Sequence, residues 1–373
     1  MTPTAGGMDE KLGRGVLAMA TRRTLLVTGF EPFGGHATNV SAEVARALAA
    51  HPSVLDPWTN EIHPLEVTVD VLPVEEKGAL KAAARWRAGE RWDAVLHLGL
   101  CESCTGPRVE RMARDRLDMR IPDNRGRQCT EQHLDGSGPR GCWIDPLSPN
   151  PHGLPHAGSV SMDAGAFVCN ETYFHTLTAI DDTVDPSPVN PPALFVHLPH
   201  ESRLRAEDGL DFVASLLPWL LFPYPPQGVH VVAAAVVNGA GDYLVTRRKT
   251  GEGDGGLWEF PGGKCEPGES WRSALKRELR EELELEVEPQ RLLGTFHRER
   301  DGTTYVIHLA GARLPEGESL PSLKVHDAWA WVNAEQGQSL SWSGRDDEMH
   351  ALLTALSHNQ VDASPSSSIA RSS

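Results

Sequence analysis

Apolar residues in this chain gather into short unbroken runs, separated by turn-forming clusters, and into one amphipathic stretch. LLVTGF (25–30) and DAVLHLGL (93–100) are runs of strand length closed by Gly- or Pro-bearing turns, and they predict buried strands. VVAAAVV (231–237) and YLVTRRK (243–249) predict two more strands meeting at the turn NGAGD (238–242). LWEFPGGK (257–264) reads as a strand that turns sharply at Phe260-Pro261-Gly262-Gly263. From Ser270 to Leu283 the chain has good helix formers and no Gly or Pro, so a helix is predicted there. Between the two groups of strands, PWLLFPYPPQG (218–228) holds four prolines that discourage a continuous element.

That break divides the 373 residues into two units, each long enough to bury its own core. The predicted plan is a flexible tail over 1–22, a first domain over 23–222, a linker over 223–228, a second domain over 229–356 and a disordered Ser-rich tail over 357–373. Met19 is a candidate start. Hydrophobic residues at 40% and charged residues at 23% are ordinary for a soluble protein. No run approaches twenty apolar residues, which excludes a membrane-spanning helix in the reading. A net charge of −16 without a basic stripe disfavours nucleic acid as a partner. Six cysteines in a chain this long suit a reducing cytoplasm.

On the predicted helix Glu278, Glu281 and Glu282 fall at i, i+3 and i+4 and share a face. Three like charges so placed repel. One reading is a solvated, charge-rich helix face; the other is an oxygen-ligand site for a hard divalent cation, Mg²⁺ or Mn²⁺. The sharp glycine turn before the helix, which lets backbone approach a metal or pyrophosphate, favours the second.

Gly263, Glu269 and the run Arg277-Glu278-Leu279-Arg280-Glu281-Glu282 resemble the Nudix hydrolase box G-x5-E-x7-R-E-U-x-E-E-x-G-U, with U aliphatic. Glu284 stands at the late glycine, a helix C-cap position. The resemblance covers about 229–356 and is nearest the MutT-type branch, which cleaves nucleoside triphosphates to monophosphate and pyrophosphate. It implies an α/β/α sandwich in which Glu278, Glu281, Glu282 and the Gly262 carbonyl hold metal. Arg248 would contact phosphate, Glu269 and Arg277 would orient the cluster, and Glu281 would serve as base. In GRDDEMHALL, Asp346, with Asp347 close behind, would read the nucleobase, an oxidised purine or a cytidine among the candidates; a helix N-cap is the other reading of either residue. Val325 stands where the family often carries a further metal-linked glutamate. A nucleotide-sensing module is the alternative role for this domain.

Upstream, one Cys, one His and one acid scattered in sequence form a pattern suited to a nucleophile assembled by the fold. TGFEPFGG (28–35), VERMARDRLDMRIPDN (109–124), AGAFVCN (164–170) and FVHLPH (195–200) resemble blocks of the pyroglutamyl peptidase I family, in that family's order. The resemblance, over about 23–222, implies a three-layer α/β/α domain with a twisted mixed sheet. It makes Cys169 the nucleophile, on a strand, with His197 as its base and Glu110 as the acid orienting the imidazole. Arg120 would lie near the oxyanion, and Phe30, Phe33 and Phe167 would wall a slot for a pyroglutamyl ring. The activity implied is removal of N-terminal pyroglutamate from peptides; a catalytically degenerate scaffold is the alternative. Two departures stand out. CESCTGPR (101–108) replaces the family's glycine-arginine before the acid, and the Pro-rich DPLSPNPHGLPHAG (145–158) replaces a helix.

Cys101, Cys104, Cys129 and Cys142, with His133 or His152 as substitutes, have the ligand types of a structural zinc site, but their gaps fit no compact knuckle, so independent reduced thiols are the expectation. Cys265 is read as inert. No pattern in the chain specifies an oligomeric state.

Overall fold

A computed structural model describes residues 21–145, 154, 156–183, 189–251, 253–315 and 321–361. The expectations for residues 1–20, for most of the Pro-rich stretch at 145–158 (His152 included) and for 362–373 fall outside the described residues.

The first unit comprises β1 (Arg23–Phe30), α1 (Val40–Leu48), β2 (Ser53–Leu55), β3 (Ile62–Leu72), α2 (Glu76–Ala79), α3 (Lys81–Arg87), β4 (Ala94–Cys101), β5 (Arg108–Glu110), β6 (Met112–Ala113), β7 (Arg140–Gly141), β8 (Ser159–Ser161), α4 (Val168–Asp181), β9 (Ala193–Pro199) and α5 (Ala206–Leu221). Seven of these strands form one mixed sheet in the order β2-β3-β1-β4-β9-β5-β8. Its centre, β3-β1-β4-β9, is parallel, with β5 antiparallel to β9 at the far side. Parallel strands are covered on both faces, which is why β4 and β9 read as near-continuous apolar runs rather than alternating ones. The helix α5 runs through Pro218 to Leu221, so the first proline of the expected break lies inside an element. Its burial of Phe212, Leu216, Leu217 and Leu220 offsets the hydrogen bond that Pro218 cannot make.

The second unit comprises β10 (Val229–Val237), β11 (Tyr243–Arg248), β12 (Trp258–Glu259), β13 (Gly262–Lys264), α6 (Trp271–Leu283), β14 (Glu288–Arg300), β15 (Thr303–Arg313), β16 (His326–Val332), α7 (Ala334–Gln338) and α8 (Asp346–Val361). The strand path is β12-β11-β10-β15-β14, with β13 paired to β10 and β16 to β11. In the β10–β11 turn the Asn238 carboxamide oxygen accepts from the backbone N–H groups of Ala240 and Asp242. Ser270 caps α6 by accepting from the Ser273 N–H, and Glu284 ends it at φ 56°, left-handed backbone that usually selects glycine.

The units meet through more than the connector. After Glu110 the chain leaves the first sheet, and Arg111, Met112, Trp143 and Asp145 reach the second unit while Leu117, Met119, Cys142 and Ile144 stay in the first core. Met112 is fully buried among Phe260, Phe296, Leu293 and Met349 of the second unit. Trp143 joins the other core of that unit, its ring centroid 5.8 Å from Trp271 and 5.2 Å from His308. Arg111 donates to the Thr295 carbonyl at 3.3 Å, and the Asp145 carboxylate accepts from the His297 N–H at 3.4 Å. Two side chains of this size, removed from water on the far side of a domain boundary, contribute on the order of 2–3 kcal/mol each.

Candidate active sites

In the first unit the parallel centre of the sheet lines up one cluster. Register places Gly99 on β4 opposite His197 on β9, and Glu110 on β5 opposite Phe195. His197 and Glu110 are both buried, and the imidazole Nδ1 lies 2.8 Å from Glu110 Oε1. Since a carboxylate can only accept, Nδ1 carries the hydrogen and Nε2 is left for the hydrogen bond with Cys169. Burial opposes a charge on His197, yet the hydrogen bonds from Cys169 and Glu110 outweigh it and lift the imidazole to about 9. Cys169 is half-buried and free, at the second residue of α4, where the first-turn N–H groups point outward without helical acceptors. The expectation of a strand at Cys169 is therefore corrected. Phe167 supplies extended backbone and Val168 starts the helix, and the helix end brings its dipole to the thiol. Asn170 anchors this end: it accepts from the Arg114 N–H and donates to the carbonyls of Arg114 and Arg116.

Phe33 and Phe167 face each other with centroids 5.9 Å apart. Phe30 stands apart from that pair, buried in the core against Phe195. Arg120 is exposed and no ion pair among the described residues engages it.

In the second unit a cavity of about 560 Å³ opens between α6, the glycine turn and β14. Glu278 and Glu282 line it from α6, Arg248 from β11, Gly262 and Gly263 from β13, and Asp346 from the start of α8. A Cβ at Gly263 would meet the Glu278 carboxylate, which would have to shift, so the glycine leaves that carboxylate its place. Arg277 forks onto Glu269 with bonds of 3.0 and 2.8 Å, and its remaining amino group reaches Glu278 at 2.9 Å and the largely exposed Glu281 at 3.4 Å. The three carboxylates do not form a closed cage. Among the described residues no three His, Cys, Asp or Glu side chains are drawn that tightly together, because like charges repel and Arg277 engages two of the three. Glu282 has no ion pair among the described residues; burial lifts its carboxyl to about 7, with Glu278 and Glu259 adding to the shift and His326 opposing it.

Deeper in the cavity the Asp346 carboxylate accepts from the Phe260 N–H at 2.6 Å, and burial lifts its pKa to about 8. Phe260 stacks on Trp342 at 5.4 Å beside Asp346. Asp347 is exposed and outside the cavity lining.

A NUDIX domain model matches residues 226–353 and a pyroglutamyl peptidase model matches 23–209. Over 125 residues the chain is 38% identical to the CTP pyrophosphohydrolase of Escherichia coli (strain K12), covering 34% of this chain and 91% of that protein. Over 181 residues it is 33% identical to the pyrrolidone-carboxylate peptidase of Chromobacterium violaceum, covering 48% of this chain and 78% of that protein. The chain belongs to both families. Among solved structures, the pyrrolidone carboxyl peptidase of Fervidobacterium islandicum AW-1 is 25% identical, with a TM-score of 0.43 over 53% of this chain and 98% of that one.

Both are hydrolase families, and the chain carries an N-terminal pyroglutamyl-peptidase domain and a C-terminal Nudix domain. In the Nudix domain Val325 is exposed, with no carboxylate at that position. A carboxylate the sequence reading passed over, Glu259, lines the cavity instead; it accepts from Arg248 Nε at 2.6 Å and pairs with His326 Nε2 at 3.0 Å. Also missed were Arg298 and Arg300, two positions apart on one face of β14 and both bonded to Asp254 at the cavity wall. The alternation in RER was the available signal. In the peptidase domain the expectation of reduced thiols at Cys101 and Cys104 is corrected: the two are joined in a disulfide, their Cα atoms 5.5 Å apart, while Cys129 and Cys142 remain free. A C-x2-C across the tight bend after β4 brings its ends within bonding reach.

Proposed function

We propose a cytoplasmic bifunctional hydrolase: a pyroglutamyl peptidase acting through Cys169, His197 and Glu110, and a Nudix enzyme releasing pyrophosphate from a nucleoside triphosphate. The observation that carries the first half is the buried His197–Glu110 pair standing between the sheet and the free thiol at the mouth of α4. In this reading the Cys169 thiolate attacks the pyroglutamyl carbonyl, the first-turn N–H groups of α4 receive the oxyanion, and His197 protonates the departing amine. Water then attacks the thioester, His197 takes its proton, and pyroglutamate leaves. Phe33 and Phe167 supply apolar walls for the lactam ring. The assembled triad favours an enzyme over a degenerate scaffold.

For the Nudix half, Nudix hydrolases in general use divalent metal ions, and this donor set suits one. It is all oxygen, Gly263 makes room for Glu278, and the half-buried Glu282, its carboxyl lifted to about 7 by burial, has no ion pair among the described residues. Glu278, Glu281, Glu282 and the Gly262 carbonyl would hold Mg²⁺ or Mn²⁺, which would neutralise charge developing on the phosphates. Arg248, steadied by Glu259, binds phosphate oxygens, and Glu281 accepts the proton of the attacking water. Asp346, neutral near pH 7, offers an O–H donor and a C=O acceptor to the edge of a base. That pairing suits a cytosine, which presents a ring acceptor beside an exocyclic amine, and it accords with the name of the Escherichia coli relative.

Two assays test the halves separately. A pyroglutamyl fluorogenic amide is expected to be cleaved by the full chain and not by Cys169→Ala; cleavage by the variant sinks the nucleophile assignment. Pyrophosphate release from a panel of (d)NTPs with Mg²⁺ is expected to favour cytidine and to fall about 10²-fold or more in Glu281→Gln. Tight nucleotide binding without turnover would make the domain a sensor.

A further inference from the structure

The Cys101–Cys104 disulfide lies on the same side of β4 as the peptidase nucleophile. A Cβ built at Gly99 would lie 3.1 Å from Cys169 Sγ. Side chains of a strand alternate, so residue 101 leaves β4 on the face shared by Gly99, about 7 Å further along. His97 confirms which face this is: two positions before Gly99, its Nε2 meets Thr176 Oγ1 of α4 at 3.0 Å. Cys101 remains paired to β9, opposite Pro199, so the alternation holds to that residue. Cys169 and Cys101 thus share one face of β4, one pleat repeat apart along the strand, and the buried Cys104 is bonded to Cys101.

Cys142 is fully buried and burial raises its pKa, and Cys265 is raised to about 12, mainly by burial. Cys129 is half-buried like Cys169 but lies outside any helix or strand. Cys169 alone combines accessibility, an imidazole partner and a helix N-terminus, the conditions under which a cysteine reacts with peroxide.

We propose that Cys101 and Cys104 are a resolving pair that returns an oxidised Cys169 to the thiol, giving the domain a dithiol-dependent peroxide-reducing step. This rests on the reading of Cys169 as a thiolate nucleophile. The Cys169 thiolate attacks hydrogen peroxide and becomes sulfenic acid as the O–O bond breaks, and the hydroxide released takes a proton from solvent to become water. The Cys101 sulfur attacks Cys169 Sγ; an S–S bond forms, and the sulfenic hydroxyl leaves as a second water, taking the Cys101 proton. The Cys104 sulfur then attacks Cys101 Sγ and loses its proton to solvent. The bond to Cys169 breaks, and the thiolate leaves beside the protonated His197. Two thiols and one peroxide have become one disulfide and two waters. The end state is the arrangement seen, with Cys101–Cys104 joined and Cys169 free. An external dithiol resets the pair.

The test uses the reduced, desalted full chain, hydrogen peroxide, and peptide mapping by mass, a readout independent of peptidase turnover. Wild type is expected to yield the Cys101–Cys104 disulfide with Cys169 unmodified. Cys104→Ser is expected to trap a Cys101–Cys169 disulfide, and Cys101→Ser to accumulate sulfinic acid at Cys169. Cys169→Ser is expected to form the Cys101–Cys104 disulfide at least about tenfold more slowly than wild type, since the reactive thiolate is gone. The proposal is overturned if Cys169→Ser closes the disulfide as fast as wild type, or if Cys101→Ser leaves the over-oxidation of Cys169 at the wild-type level. Protein that passes these tests but leaves the fluorogenic amide uncut would retain the relay and lose the peptidase reading.

Discussion

The guanidinium carbon of Arg111 lies 4.7 Å from the centroid of the Phe296 ring. Arg111 directly follows Glu110, and Phe296 sits on β14, whose end carries the cavity-lining Arg298 and Arg300. The acid of one site and a wall of the other are therefore fastened to the same interdomain contact.

Truncating the wedge tests how far the two domains depend on each other. Trp143→Ala removes a fully buried indole from the Nudix core, and a loss of about 3–5 kcal/mol is expected. Thermal unfolding followed by calorimetry should show a lower midpoint for the whole chain. A shift confined to one of two separate transitions would show that the domains unfold independently.

The peptidase should lose activity on the alkaline side. His197 keeps its proton up to about pH 9, so kcat/KM for a pyroglutamyl amide is expected to fall as pH rises through 9. The same raised pKa stabilises the fold below the unfolded value near 6.5, and that stabilisation is lost as pH climbs through 9. Glu110→Gln should abolish the preferred tautomer and lower kcat by about 10²–10⁴-fold. An unchanged profile in that variant would detach Glu110 from the imidazole's chemistry.

Asp346 shifts in the opposite sense for a carboxyl. Its folded-state pKa of about 8 exceeds the ordinary 3.8, so ionisation favours the unfolded chain progressively from pH 4 to 8. Asp346→Asn, neutral at every pH, should match wild type in acid and gain stability relative to it toward pH 8. Denaturant midpoints across that range check the sign; a variant that loses ground with rising pH would show the carboxylate to be ionised and bound.

Glu284 holds a left-handed backbone at the end of α6 and pairs at 2.6 Å with Lys324 on the surface. An exposed pair contributes little, whereas glycine adopts this φ without strain. Glu284→Gly is expected to raise stability, read as a higher melting temperature. A decrease would mean that the salt bridge outweighs the backbone strain.

The sequence was most readable where chemistry is local. The strands β1, β4, β10 and β11 announced themselves by apolar runs bounded by turns, and α6 by its run of helix formers without Gly or Pro. The structure brings Glu269, in the turn before α6, and Arg277, on α6, together within one motif. What stayed hidden depends on contacts distant in sequence. Glu259 meets His326 across 67 residues, and Trp143 enters a core built from residues beyond 230. A lone Trp among prolines and glycines carries no periodicity from which a burial partner can be read. The strand at Cys169 was what the resemblance implied; the helix found there packs against β4, with His97 and Thr176 joined.

The seam formed by Arg111, Met112, Trp143 and Asp145 changes what the proline-rich connector is for. A protease nicking anywhere in 223–228 would sever the covalent thread and leave the halves clasped, because Met112 and Trp143 are already lodged in the neighbouring core. Neither half is a cassette that recombination can swap for a foreign homologue without its matching counterpart, so the pair is constrained to evolve as one body.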